Sequence, residues 1–238
     1  MATRLVLLAH PDDEMLCLPF LLESGSKEAD KDLFLYLTFK SVSQIRQSEC
    51  QEAIRFLNRK IRESRLVDID VSLRDGLGWK DVSLDDLNHI SNLAQSLGVD
   101  SILTFAYEGG HQDHDLAHVV AKFLQRKLGL KLSEFSGYRK HSFLPVFVVS
   151  SPKIKMAKMV FPRLKALGIF LSLSAIHKSQ FRVWCLLSPP ILCKLLLGSH
   201  FTTQSDLKGS RKIKENFLYE FRRKARKDLV EDAILRFI

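Results

Sequence analysis

The stretch that decides the fold is LVLLAHPDDEMLCLP, residues 5–19. An apolar run from Leu5 to Ala9 leads straight into His10, Pro11, Asp12, Asp13 and Glu14, and the chain then turns apolar again. RLVLLA, residues 4–9, has the length and unbroken apolar character of a strand buried on both faces. Pro11 suits the first turn of a helix, and EMLCLPFLLE can carry one. An imidazole and three carboxylates between two buried elements need a partner of opposite charge, because unpaired buried charge costs several kcal/mol.

Further along, DLFLYLTF (32–39) reads as a second strand. Residues 41–58 place apolar side chains at 45, 50, 53, 54 and 57, which is helical spacing. SRLVDIDV (64–71) is a third strand, followed by a helix over 82–98 that Gly98 stops. DSILTFAYEGGHQDH (100–114) is a fourth strand running into a glycine-rich loop, and residues 115–129 form a helix closed by Gly129. LPVFVVS (144–150) is a further strand. Residues 161–181 read as an apolar helix, and 205–238 as a loop and a basic helix. This alternation predicts an α/β fold with a mostly parallel sheet and helices on both faces. In such sheets, sites form at the carboxyl ends of strands. The charged clusters at 10–14 and 111–115 each follow a strand, so the topology can bring them to one edge.

The second cluster, YEGGHQDHDLAH (107–118), holds three of the eight histidines. Gly109 and Gly110 let the backbone turn tightly. Imidazoles together with carboxylates suit zinc or another divalent transition metal, and a catalytic zinc takes three protein ligands. His10 and Asp13 can supply two, and a histidine of the second cluster the third. His118, four residues after His114, can share a helix face with it.

AHPDDE after an N-terminal strand, with YEGGHQDHD after a later one, resembles the LmbE-like (PIG-L) family of zinc-dependent de-N-acetylases, whose pattern is A-H-P-D-D-E followed by H-x-D-H. The likeness is strong over about residues 4–120. IRQSECQEA (45–53) resembles the family's R-x-x-E helix, and AIHKSQF (175–181) its later segment ending in Ser-Gln. The resemblance implies a Rossmann-like three-layer αβα fold. It also implies hydrolysis of an N-acetyl group from an N-acetylglucosaminyl-type sugar conjugate, by attack of metal-bound water. On that likeness His10, Asp13 and His114 hold the zinc, Asp12 is the general base, and a protonated His111 faces the substrate carbonyl. Asp113 holds His111, Arg46 contacts the substrate, and Glu14 supports the motif from behind. Gln112 stands where many relatives carry proline. His177, beside the Ser-Gln segment, is a candidate to line the cleft.

Composition bounds the alternatives. The 238 residues fit a single domain over 1–238, with 151–238 as its basic part. Residues 151–238 hold 18 Lys+Arg against 6 Asp+Glu, a net of +12, whereas residues 1–150 net −3. This asymmetry predicts an anionic partner, such as a membrane surface contacted peripherally or the substrate itself. ALGIFLSLSAI (166–176) and VWCLLSPPILC (183–193) fall short of the ~18 apolar residues a span requires. No secretory leader is predicted. Cys17, Cys50, Cys185 and Cys193 form no C-x-x-C pair and read as reduced thiols of a cytoplasmic protein. No G-x-G-x-x-G follows a strand, which argues against a dinucleotide, and no nucleic-acid-binding signature is present. Two other classes remain open: a two-His, one-carboxylate iron oxygenase, and a basic binding module without catalysis.

Overall fold

Strand β1 (Thr3–Leu8) lies in the interior of the sheet, and its side chains explain why. Leu5 to Leu8 are at most 2 % exposed, as a strand covered on both faces requires. It pairs in parallel with β2 (Lys31–Tyr36) on one side, matching Leu5 to Leu33, and with β4 (Ser101–Phe105) on the other, matching Leu5 to Ile102. Strand β3 (Glu63–Leu66) lies outside β2, and β5 (Lys131–Phe135) outside β4. Beyond β5 come two antiparallel strands, first β7 (Ser199–Thr202) and then β6 (Ala157–Val160). The computed structural model describes residues 1–23, 29–71, 73–107, 109–135, 137, 157–160, 164–185, 189, 192, 199–202 and 236.

The helices are α1 (Glu14–Glu23), α2 (Gln44–Lys60), α3 (Gly78–Asp81), α4 (Leu84–Ser96), α5 (Gln112–Leu128) and α6 (Leu164–Ile176). From β1 the chain steps outward through β2 to β3, then returns to β4 and steps the other way. Right-handed crossovers therefore put α1 and α2 on one face and α4 and α5 on the other. Helix α6 packs against α1 and α2, and α3 and α4 pack against α5. The order β3-β2-β1-β4-β5 reverses between β1 and β4, and it is at such a switch point that the loops open a crevice.

Local chemistry sets the elements. Helix α1 is apolar all round, and Met15 to Leu18, Phe20 and Leu21 are buried. Pro19 inside it removes a helical hydrogen bond at a cost of about 3 kcal/mol. Burial of each large side chain contributes about 1.5–3 kcal/mol and more than offsets this. Ser43 caps α2, and Ser83 with Asp86 forms a capping box on α4. Gly129 ends α5 in the left-handed conformation. At the amino end of the sheet, Arg4 meets Asp32 through Nε at 2.9 Å and Nη2 at 3.1 Å, with Arg62 at 3.5 Å. The buried Asp32 carboxylate thus faces two guanidinium groups.

The structure departs from the sequence reading at several points. The third strand stops at Leu66, and after the Val67 N–H donates to Phe34 O at 2.8 Å the chain leaves the sheet. Strand β5 escapes an apolar-run reading because KLSEF buries Glu134. That carboxylate is met at 3.5 Å by Lys122 of α5. Strand β7 owes its form to pairing with the edge of β5, and β6 to pairing with β7, and both show little local pattern. Ile45, predicted on the inner face of α2, is exposed. The strand expected at 144–150 and the basic helix expected within 205–238 fall outside the described residues. Among the described residues, no helix is long and apolar enough to cross a membrane.

Candidate metal centre and active site

The loops after β1 and β4 supply the two charged clusters, side by side at the switch point. Gly109, at φ +69°, turns the second loop, and its N–H donates to Asp115 at 3.1 Å. The turn delivers His111 as the N-cap of α5, with Asp113 and His114 in the first turn.

Three imidazoles converge there. The ring centroids of His10 and His111 lie 4.8 Å apart, those of His111 and His114 5.2 Å, and those of His10 and His114 5.5 Å. One nitrogen from each of His10, His111 and His114 lies within 4.8 Å of the others, and so do ligand atoms of His10, Asp75 and Asp113. Asp13 joins the two loops. Its Oδ1 is 3.2 Å from His114 Nε2, and its Oδ2 is 3.4 Å from His10 Nδ1 and accepts the His10 backbone N–H at 2.7 Å. Burial works against a charge on Asp13, yet His114 and His10 outweigh it and hold the carboxyl far below the usual range. The Phe105 ring stacks on His114 with centroids 3.9 Å apart. The backbone of Gly137 closes over both: a β-carbon there would meet Phe105 at 3.1 Å.

His10 Nε2 faces Asp113 Oδ2 at 3.1 Å and Asp75 Oδ1 at 3.2 Å. Burial opposes its charge, but the surrounding carboxylates of Asp113, Asp13 and Asp75 raise its pKa well above the ordinary value. The pocket therefore favours positive charge at this point. The donor set of imidazoles and carboxylates fits a divalent ion such as zinc, which would displace the proton from His10.

Asp12 is 6 % exposed. Burial, followed by the charge of Asp13, pushes its carboxyl up to about 7, with Arg46 pulling the other way. Such a group both takes and gives a proton near neutrality. Its φ of +113° is the only positive value at a non-glycine among the described residues. Backbone in such a region costs of order 1–3 kcal/mol. Arg46, from the first turn of α2, donates through Nη2 to Asp12 Oδ1 at 3.3 Å and to Pro11 O at 3.2 Å, and through Nη1 to Asp75 Oδ2 at 3.2 Å.

Seven predicted residues, His10, Asp12, Asp13, Arg46, His111, Asp113 and His114, thus meet in one place, and two expectations change in detail. Asp113 reaches His111 through its backbone N–H, which donates to Nδ1 at 3.2 Å, while its carboxylate takes His10 and the N–H of Gly76 at 2.6 Å. With Nδ1 accepting from the Asp113 N–H, the tautomer that carries its proton on Nε2 can donate into the site. His118 is buried elsewhere, 3.0 Å from Phe105 O and 3.7 Å from Glu134, and burial lowers its pKa. His177 does not line the cleft; it is buried against Glu14. Sequence reasoning missed Asp75. Its only signal was the Asp75-Gly76 turn pair, with Gly76 at φ +77°.

No curated protein matches the chain. A conserved protein of Thermus thermophilus shares 18% identity at a TM-score of 0.60, over 86% of this chain and 95% of its own. A deacetylase of teicoplanin biosynthesis, in a complex with bog, shares 14% identity at a TM-score of 0.56, over 77% and 86%. The zinc-inhibited form of teicoplanin deacetylase shares 12% identity at 0.55, over 75% and 85%. These likenesses bear on the fold. The family profile described as GlcNAc-PI de-N-acetylase, PIG-L, matches residues 5–124, half of the sequence, and the chain belongs to that family.

Proposed function

We propose that the protein is a zinc-dependent hydrolase that removes the N-acetyl group from an N-acetylglucosaminyl-type sugar conjugate. The observation that most supports this reading is the convergence of His10, Asp13 and His114 beside an Asp12 carboxyl poised near neutrality. Membership of the de-N-acetylase family, and a fold shared with teicoplanin deacetylase, point the same way. In this reading His10, Asp13 and His114 would hold the ion, which would supply Lewis acidity and make water acidic enough to ionise near neutral pH. Asp12 accepts the proton of the attacking water and passes it to the departing amine, which leaves poorly until protonated. His111 donates from Nε2 to the oxyanion, a role typically worth ~3 kcal/mol. Asp113 fixes His111 and His10. Arg46 and the half-exposed Asp75 offer a donor and an acceptor at the mouth, suited to sugar hydroxyls. Free thiols at Cys17, Cys50 and Cys185 fit a cytoplasmic location.

The test is acetate release from a panel of N-acetylglucosaminyl conjugates by the zinc-loaded protein. Release from at least one conjugate, abolished by chelation and restored by zinc, is expected. Its absence across the panel overturns the reading, and turnover with iron and oxygen would favour an oxygenase.

A peripheral contact with anionic membrane belongs to the same proposal. Leu164, Leu171, Phe181 and Val183 are exposed beside Lys165, Lys178 and Arg182, a combination suited to a lipid surface. Cosedimentation with anionic vesicles, weakening as salt is added, is expected; no binding at low salt would leave a soluble conjugate as substrate.

A further inference from the structure

Glu14 belongs to the charged stretch but does not point at the three imidazoles. Its carboxylate is fully buried, and among the described residues three groups converge on it. The Asp12 backbone N–H donates to Oε2 at 3.1 Å, the Tyr36 hydroxyl to Oε2 at 2.8 Å, and His177 Nε2 stands 2.5 Å from Oε1. Asp12 is the residue held at φ +113°, and backbone in that region persists only where its surroundings over-determine it.

His177 comes from the end of α6, 163 residues further along the chain. Its own backbone is fixed, the N–H donating to Leu173 O at 2.9 Å and the carbonyl accepting Gln180 N–H at 3.1 Å. Two residues on, Ser179 donates from its backbone N–H at 2.9 Å and its hydroxyl at 2.5 Å to the carboxylate of Glu49. Glu49 lies on α2, the helix that carries Arg46. The circuit closes where Arg46 Nη2 donates to Asp12 Oδ1 at 3.3 Å.

We infer that the turn 177–179 is a clamp on the site: His177, acting through Glu14 together with Tyr36, holds the strained Asp12 backbone in working position, and Ser179, acting through Glu49, fixes α2 and Arg46 against it. His177, Glu14 and Tyr36 are positioning residues. Part of the site is thus completed from beyond residue 124, where the family match ends. The inference rests on Asp12 as the base, as proposed above. It implies that loss of the clamp frees Asp12 while leaving His10, Asp13 and His114 in place.

The test compares His177→Ala, His177→Gln and Tyr36→Phe with the wild-type protein, all zinc-loaded. The readout that needs no activity is hydrogen exchange of the Asp12 amide by NMR. It should be slow in the wild type and faster by about tenfold or more in His177→Ala, with bound zinc unchanged. In acetate release, kcat should fall about ten- to hundredfold with KM within about twofold. His177→Gln, whose amide N–H can still reach Glu14, should recover most of kcat. Tyr36→Phe removes only the hydroxyl, and it decides the matter by the same exchange readout if His177→Ala does not fold. Unchanged Asp12 exchange in a folded variant overturns the clamp. So does loss of zinc in step with kcat, because the turn would then support the whole site and not Asp12. If the wild-type protein releases no acetate from any conjugate, the deacetylase reading fails, while the exchange measurement still decides the clamp.

Discussion

Asp12→Asn isolates one charge, because almost everything else about the position is kept. Asn matches Asp in size, tolerates positive φ as well as any residue other than Gly, and can keep its side-chain oxygen on Arg46 at 3.3 Å. What it removes is a carboxyl whose pKa rises from the ordinary 3.8 to about 7, mainly through burial and then through the charge of Asp13. With the folded pKa above the unfolded one, the fold holds the proton more tightly. The group is harmless to stability below pH ~4, and the metal-free fold loses stability as pH rises from there through about 7. A shift of about three units corresponds to roughly 4 kcal/mol at full extent. In metal-free protein, Asp12→Asn should therefore be the more stable form, by about 2 kcal/mol at pH 5 and about 4 kcal/mol at pH 8. Urea unfolding at the two pH values, after dialysis against chelator, measures this directly. The same variant, loaded with zinc at pH 7, should have lost most of its acetate release. A stability difference that is flat with pH, or a variant weaker than wild type at pH 8, would refute the reasoning that burial holds a proton on Asp12.

Three further outcomes are expected. His114→Ala should bring bound zinc far below one equivalent by metal analysis, while His118→Ala should keep its zinc and lose only stability; the reverse pattern would mean the wrong histidine was assigned. His111→Ala should bind zinc normally and lose about 10²–10³ in kcat, since it removes one oxyanion donor and no ligand. Asp32→Ala should destabilise the fold by about 3–5 kcal/mol in chemical denaturation, because it removes the buried carboxylate that faces Arg4 and Arg62. The folded fraction of that variant should bind zinc as wild type does, the pair lying at the far end of β1.

The charged motif and its frame were legible in the sequence because both are local. Leu5 to Ala9 and the five residues after them form one strand-to-helix turn, and the spacing of His111, Asp113 and His114 sets them around one helix start. Strand–helix alternation then required a parallel sheet, and chirality required the clusters to meet at one edge. Which partner each carboxylate takes was not legible. Asp13 goes to His10 and His114, Asp12 to Arg46, and Glu14 to Tyr36 and His177, although the three carboxylates are consecutive. Consecutive side chains at a helix start point in different directions, so their neighbours come from β2, α2, α5 and the end of α6. The same limit hid β5: KLSEF offers no apolar run, and the charge of Glu134 meets Lys122 only in the fold. Sequence spacing determines chemistry carried within one turn of chain. Contacts such as that between Glu14 and His177, 163 residues apart, exist only once the sheet and its helices have been packed.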